Sequence, residues 1–280
     1  MERQRSLPLA LFLAVLMLLS TAGPALSQTN PPNGSGDWTI LANDVTVISA
    51  NTSNNGQILV QGDIDVYGDL TIDGMTVYMW STSNGHRDIQ VYDGGHLRLV
   101  NGASVIPYNN AYCYDFVVDD GGEITMTNTT IDRACEVDIN SHLFTLEHLT
   151  IENTETDGLD IETTSSVTDS LENITVNNIP STGMRLAYPV VTPNEEYCLC
   201  NLTLNGEKIY SAGGAMDANV SRYRIENISG GVIDLGFDEF NASDISILDH
   251  SGSSISMTFT HLQVDSVAIQ NVTLTSSMSL

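Results

Sequence analysis

Two carboxylates and one guanidinium recur along the sequence at similar intervals. Asp138, Asp160 and Arg185 are separated by 22 and 25 residues, and each is the middle residue of a short apolar–polar–apolar run. If these runs stack as neighbouring strands, the three side chains share one face. Ca²⁺ takes about six to eight oxygen ligands, so this face could bind Ca²⁺ or an acidic sugar. The alternative is a surface cluster of mutually neutralising charges, and we favour that interpretation.

The elements that would position these side chains belong to a single repeat. Its clearest copies are Gly158–Ile161 (GLDI) and Gly183–Leu186 (GMRL), with looser forms at Gly214–Asp217 and later. From Ile89 the repeat advances in steps of 27, 21, 22 and 25 residues to Met184. A second motif, apolar–Thr/Ser–apolar, precedes the glycine by nine residues in two successive copies. The alternation and the β-branched residues indicate short strands.

A repeat of this length predicts a solenoid. One unit cannot bury an apolar face alone, so successive units must stack to form a continuous core. The pattern of a leucine-rich repeat is absent, and a β-sandwich would not explain the regular spacing. We therefore predict an all-β right-handed parallel β-helix of about nine or ten coils, which forms one domain over residues 38–280.

The amino terminus has the layout of a secretory signal peptide. Arg3 and Arg5 precede an apolar segment at 7–19, and small residues flank a cleavage position after Ser27. This apolar segment is shorter than the roughly 20 residues that span a membrane. We expect residues 1–27 to be removed, residues 28–37 to be a polar linker, and the protein to be secreted or displayed at the cell surface. An uncleaved anchor is the alternative.

The charge balance excludes one class of partner. The chain carries 35 acidic and 9 basic side chains, for a net charge of −26, and Lys208 is its only lysine. A protein that binds nucleic acid neutralises phosphates with basic side chains, so nucleic acid is excluded. A solvated acidic exterior explains the charge, and a surface that contacts cations or matrix is the functional alternative.

The four cysteines suggest disulfides in an exported chain. Cys113 and Cys135 are 22 residues apart, close to one coil, so they should lie on adjacent coils and form a bond. A bond between Cys198 and Cys200 would be strained in an extended strand. A bridge across a tight turn and two free thiols are equal alternatives, and pairing of either cysteine elsewhere is a third. The zinc-site spacing Cys-x-x-Cys is absent.

Asparagines recur with the repeat. Asn128, Asn153, Asn178 and Asn227 each follow an apolar residue by two positions, at spacings of 25, 25 and 49. We predict that they form one ladder along the solenoid axis, because asparagine suits turns and stacked asparagines bond side chain to side chain. Candidate glycosylation acceptors in Asn-x-Ser/Thr motifs are Asn33, Asn51, Asn173, Asn201, Asn219, Asn241 and Asn271.

Three segments carry a resemblance to a known group. Residues 62–79, 93–105 and 120–131, with their Asp-Gly turns and alternating strands, resemble exported right-handed β-helix repeat proteins of prokaryotes in the pectate-lyase-like superfamily. The resemblance covers residues 40–280 and implies the fold. It leaves function open, because that superfamily includes polysaccharide lyases, glycoside hydrolases, adhesins and other surface proteins.

A catalytic set does not emerge from the resemblance. Residues 153–161 resemble the Asn-Thr-Asp-Gly strand of polygalacturonase-type hydrolases, but the Asp-Asp pair, Gly-His-Gly and Arg-Ile-Lys motifs do not follow. We therefore assign no catalytic residue and expect a non-enzymatic surface protein for adhesion, matrix or glycan contact. The alternative is a polysaccharide lyase or glycoside hydrolase that acts on acidic polysaccharide through Asp138, Asp160 and Arg185. No cofactor is expected apart from Ca²⁺ on that face.

The repeat continues to the last residue. Val272–Leu280 still alternates, and no polar capping segment follows. An uncapped solenoid exposes strand edges and core. We therefore expect further coils beyond Leu280, and a membrane contact only through such a missing segment or an uncleaved signal.

Overall fold

Strands form all the regular secondary structure in the described part of the chain. The computed structural model describes residue 31 and residues 36–49, 56–167, 171–187, 190–191, 196–211 and 216–280. The predicted signal peptide, Asn33 and Asn51 lie outside these ranges. The strands are β1 (Trp38–Ile40), β2 (Val45–Ser49), β3 (Gln57–Val60), β4 (Ile64–Val66), β5 (Asp69–Asp73), β6 (Thr76–Met79), β7 (Asp88–Val91), β8 (His96–Val100), β9 (Ser104–Pro107), β10 (Tyr114–Val118), β11 (Glu123–Asp132), β12 (Ala134–Ile139), β13 (Leu143–Glu152), β14 (Leu159–Glu162), β15 (Leu171–Asn177), β16 (Met184–Ala187), β17 (Val190–Val191), β18 (Glu196–Cys200), β19 (Lys208–Ser211), β20 (Met216–Glu226), β21 (Val232–Leu248), β22 (Ser251–Gly252), β23 (Ser254–Gln270), β24 (Thr273–Leu274) and β25 (Met278–Ser279).

These strands wind into a parallel β-solenoid of about nine turns, as the repeat predicts. Sheet 1 stacks β1, β4, β7, β10, β12, β14, β16, β19 and the first residues of β21 and β23. Sheet 2 stacks β2, β5, β8, the first halves of β11 and β13, and then β15, β18 and β20. Sheet 3 stacks β3, β6, β9 and the second halves of β11, β13 and β15. Each coil up to β15 therefore contributes one strand segment to each sheet, and in later coils sheet 3 continues through the isolated bridges Thr175–Thr203, Thr203–Ser229 and Ser229–Ser251.

The core lies inside the winding. In sheet 1 the apolar residues of each run point inward and stack on their counterparts one coil away, as Ile139, Ile161 and Leu186 do. All three are fully buried. The residue between two inward positions points to solvent, because successive side chains in a strand alternate between faces. The repeat therefore determines the inward residues and leaves the outward ones free to vary.

Close packing at one corner requires glycine. A Cβ on Gly158 would stand 2.3 Å from the carbonyl oxygen of Gly183, which belongs to the next coil. This contact explains the glycine at the start of the clearest repeats. The looser copy at Gly214–Asp217 was assigned wrongly: the sheet-1 strand of that coil is Lys208–Ser211, whose Ile209 pairs with Met184. The sequence of that strand lacks the preceding glycine, which is why the pattern missed it.

The corner between sheets 2 and 3 is formed by one residue per coil with positive φ. Short polar side chains tolerate this left-handed backbone better than others, because they can bond locally. The column of such residues is Gly74, Asn101, Asn128, His148, Asn173, Asn201, Asn227, Asp249 and Asn271. A second column after sheet 3 contains Arg133, Asn153, Asn178, Asn205 and Gly230.

The predicted single asparagine ladder is therefore wrong in its membership. Asn153 and Asn178 belong to the second corner, where the Asn178 Nδ2 donates to Asn153 Oδ1 at 2.7 Å. Asn227 belongs to the first corner and donates to Asn201 Oδ1 at 2.8 Å, and Asn128 also lies in this first column. At both corners the asparagine comes directly after an outward-pointing strand residue, so the local sequences look alike. Only the position in the coil shows to which corner an asparagine belongs.

Candidate functional site

The three candidate binding residues lie side by side on the outer face of sheet 1. Asp138 of β12 is in register with Asp160 of β14, and Asp160 is in register with Arg185 of β16. The next positions in the column are Tyr210 and Asp234. The winding thus brings together side chains that are 22 and 25 residues apart in the sequence.

Arg185 is held by two carboxylates in this cluster. Its Nη1 donates to the Asp160 carboxylate and, at 3.0 Å, to Oε2 of Glu162. Sequence reasoning missed Glu162, although its position two residues after Asp160 places it on the same face. The Asp138 Oδ2 accepts a hydrogen bond from Asn140 Nδ2 at 3.1 Å. The arginine is therefore already paired, and the cluster neutralises part of its own charge.

Asp160 is the most enclosed member of the cluster, at 8% exposure. Burial raises its pKa to about 6, against the opposing effect of the hydrogen bond and charge of Arg185. Its Oδ1 atom has no hydrogen-bond partner among the described residues. Burial also raises the pKa of Asp138. Both carboxyl groups therefore hold their protons to higher pH than solvated aspartates do.

The described side chains do not converge on a metal site. Within those ranges, no group of three or more His, Cys, Asp or Glu side chains is placed to hold a metal ion. On the sheet-1 face, a guanidinium occupies the position between the carboxylates where a cation would otherwise lie.

A column of acidic side chains runs along sheet 1. In each of its coils, the acidic residue directly precedes a buried apolar residue of the sheet-1 strand. The members of the column are Asp37, Asp63, Asp88, Asp115 and Glu136, at steps of 26, 25, 27 and 21 residues. Backbone N–H groups bond the column together: the amide of Asp63 donates to Asp37 Oδ1 at 3.1 Å, and that of Asp88 to Asp63 Oδ1 at 3.3 Å. Burial, followed by the neighbouring carboxylates, raises the pKa of Asp88 to about 6. Sequence reasoning missed this column, although its spacing matches the repeat.

A histidine-centred cluster lies on the outer face of sheet 2. The Nδ1 of His96 is 3.2 Å from Glu123 Oε1, and its Nε2 is 3.0 Å from Thr125 Oγ1. Arg98 donates to Asp69 at 2.9 Å beside it. Burial, then the Arg98 charge, lowers the pKa of His96, so the imidazole is neutral at pH 7. A hydroxyl, imidazole and carboxylate in this order resemble a nucleophilic relay, but neither cavity described below includes these residues.

An aromatic cavity of about 550 Å³ lies where the chain leaves sheet 3. Trp80 follows β6 and Tyr108 follows β9, and the register of Met79 with Pro107 brings the two rings together. Their centroids are 4.6 Å apart with an interplanar angle of 24°. The lining residues are Trp80, Ser81, Thr82, Tyr108, Asn109, Asn110 and Tyr112. The sequence gives no repeat signal for this site, because it lies in turns of unequal length.

A polar groove of about 360 Å³ crosses the later coils. Asn219, Asn241 and Gln263 line it from adjacent strands in register. The first two are candidate glycosylation acceptors, and both are exposed. The acceptors Asn173, Asn201 and Asn271 lie in the first corner column, where Asn173 is half-buried and the other two are exposed.

All four cysteines are paired. Cys113 and Cys135 form the disulfide that their spacing predicts, with 5.0 Å between Cα atoms on adjacent coils. Cys198 and Cys200 are paired with each other within β18, and neither the turn bridge nor the pair of free thiols describes this arrangement. Each pair therefore constrains the backbone locally, the first between coils and the second within one strand.

Comparison with known proteins adds no relative. No protein-family model matches the chain, and neither does any curated protein or solved structure. The class is therefore defined by the fold itself, which is a parallel β-solenoid with open outer faces. In the described ranges, no helix is long and apolar enough to cross a membrane.

Proposed function

We propose that this chain is an exported, non-enzymatic surface protein that contacts glycan or matrix through the outer faces of its solenoid. Within this proposal it is a right-handed member of the pectate-lyase-like superfamily from a prokaryote. The observation that carries the non-enzymatic part of the proposal is the ion-pair cluster on sheet 1. Its single arginine is paired with Asp160 and Glu162, so the face is stable without substrate.

The charge arrangement favours contact over catalysis. A lyase or hydrolase that acts on acidic polysaccharide needs a cation free to bind the substrate's carboxylates, and Arg185 is already bound twice. The net charge of −26 also repels an acidic polymer. The flat outer faces of a solenoid suit extended contacts with polymers.

One observation favours an enzyme as the second candidate. Asp160 has a pKa of about 6 and stands beside Asp138. Inverting glycoside hydrolysis uses one carboxylic acid that holds its proton near neutral pH and one carboxylate base. This alternative assigns the acid role to Asp160 and leaves Arg185 to orient the substrate.

The two candidates are distinguished by measuring binding and turnover on the same glycan panel. The variants are Asp160→Asn and the control Asp234→Asn, because Asp234 lies in the same outward column and pairs with Lys208 at 3.0 Å. We expect binding to at least one glycan or matrix polymer, no depolymerisation, and equal binding by both variants. Depolymerisation that Asp160→Asn abolishes and Asp234→Asn preserves would establish the enzyme instead. Failure to bind any glycan or matrix polymer would overturn the contact function.

A further inference from the structure

The cavity beside Trp80 differs from the rest of the outer surface. Of the two tryptophans in the chain, Trp38 is in the core at 2% exposure, whereas Trp80 is 38% exposed and Tyr108 is 53% exposed. Tyr78 supports the pair from the side, with its ring centroid 6.3 Å from that of Tyr108 and the planes at 78°. The result is a rigid aromatic platform with one side open to solvent.

A buried serine lies beside this platform. Ser81 is only 3% exposed and lines the cavity, and its Oγ has no hydrogen-bond partner among the described residues. A buried hydroxyl without a partner loses its bonds to water and gains nothing in return. A ligand hydroxyl that displaces the atoms covering this buried oxygen would supply the missing bond. The platform and the unpartnered hydroxyl are separate observations, and both call for a ligand.

The lining determines the class of ligand. Serine, threonine, asparagine and tyrosine supply the polar groups, and no acidic or basic side chain is among the lining residues. An aromatic face packs against an apolar C–H face, and hydroxyl and amide groups bond hydroxyls at its edge. A pyranose ring has both features. The volume of about 550 Å³ lies in the range of about 300–1,000 Å³ that is usual for small-ligand pockets.

We propose that the Trp80–Tyr108 cavity binds an uncharged pyranose unit of a glycan chain. One ring face stacks on Trp80 and a ring hydroxyl bonds Ser81 Oγ. The site deepens the proposed glycan contact and rests on it for its biological setting, but its chemistry is independent of the sheet-1 charge cluster. The acidic exterior disfavours uronic acids and leaves neutral sugars as the preferred class.

The test measures binding of neutral and uronic-acid oligosaccharides to the full chain by calorimetry and tryptophan fluorescence. Fluorescence is informative because Trp80 is the exposed one of two tryptophans. We expect saturable binding of a neutral oligosaccharide, weakened at least about tenfold by Trp80→Ala and several-fold by Ser81→Ala. The matched control is Tyr67→Ala, because Tyr67 is also 38% exposed and stacks on Tyr92, with 4.1 Å between centroids, but lies outside the cavity.

Each result decides a separate point. Trp80→Phe retains a flat ring and should retain part of the affinity, which separates loss of stacking from loss of folding. If Trp80→Ala leaves neutral-sugar binding unchanged, the cavity is not the sugar-binding site, although the glycan-contact function stands. Equal affinity for uronic-acid oligosaccharides would refute the preference for neutral sugars. Binding to matrix polymers without binding to any oligosaccharide would also refute the assignment of sugar binding to the cavity.

Discussion

Replacing Asp88 with asparagine should stabilise the protein at neutral pH. Asp88 lies in the middle of the acidic column of sheet 1, and its pKa is raised from the ordinary value of 3.8 to about 6, by burial first and by Asp63, Asp65 and Asp115 after it. Because the folded pKa exceeds the unfolded one, the folded state binds this proton more tightly. The contribution of Asp88 to stability is therefore greatest below pH 3.8 and is lost as the pH rises through 6.

The size of the effect follows from this difference in pKa. One pKa unit corresponds to about 1.4 kcal/mol, which sets a ceiling of about 3 kcal/mol for the cost of ionised Asp88. The side chain is partly exposed, so water and salt screen the repulsion and we expect about 1 kcal/mol. For a chain of this size that is a rise of about 2–4 °C in the unfolding midpoint.

The assay is thermal unfolding followed by circular dichroism between pH 3.5 and pH 8. Asp88→Asn should unfold at a higher temperature than the wild type at pH 7 and at the same temperature below pH 4. The matched control is Asp120→Asn, which removes an equal charge from an exposed turn outside the column and should change little. A midpoint for Asp88→Asn that is lower at pH 7, or a difference that does not vary with pH, would refute the reasoning.

Two further predictions concern the links between coils. Replacing Cys113 and Cys135 together by serine removes a cross-link between residues 22 apart and should cost about 3 kcal/mol. The reduced wild type should then unfold like the double variant, and an unchanged midpoint would count against a cross-link between coils. Asn227→Ala should cost about 2 kcal/mol in chemical denaturation, because alanine loses the bond to Asn201 and strains the positive φ of 51°. Asn227→Gly relieves the strain and should cost about 1 kcal/mol; equal losses would show that strain is not involved.

The stacking of the sheet-1 strands was predictable because every coil needs apolar residues at the same inward positions. Inward positions must be apolar to build the core, so Val137, Leu159 and Met184 keep the same place in each run. Outward neighbours then fall into register without further information. The pairing of Asp138 with Asp160 follows from that single rule. Cys113 and Cys135 lie on adjacent coils because their spacing is close to one coil, but they meet beside a register shift between Tyr114 and Phe116.

The corners were harder to predict than the strands. Asparagine has the same role at two different corners in each coil, so Asn128 and Asn153 carry the same local signal but belong to different columns. The step between corresponding corners also varies, because turns absorb insertions that strands cannot. Spacing alone therefore cannot assign an asparagine to its column.

The functional candidates depend on what the repeat leaves unconstrained. Outward positions, and turn positions without positive φ or close backbone packing, are compatible with many residues, so selection for the fold does not explain an exposed Trp80 or an unpartnered Ser81. In the sheet-1 cluster, Arg185 is already paired with Asp160 and Glu162, and Oδ1 of Asp160 is without a hydrogen-bond partner among the described residues. The charges of the cluster are thus largely satisfied within the protein, whereas the exposed aromatic face of Trp80 becomes more stable when a ligand covers it. This difference makes the cavity between two turns a stronger candidate for ligand binding than the charged face of sheet 1.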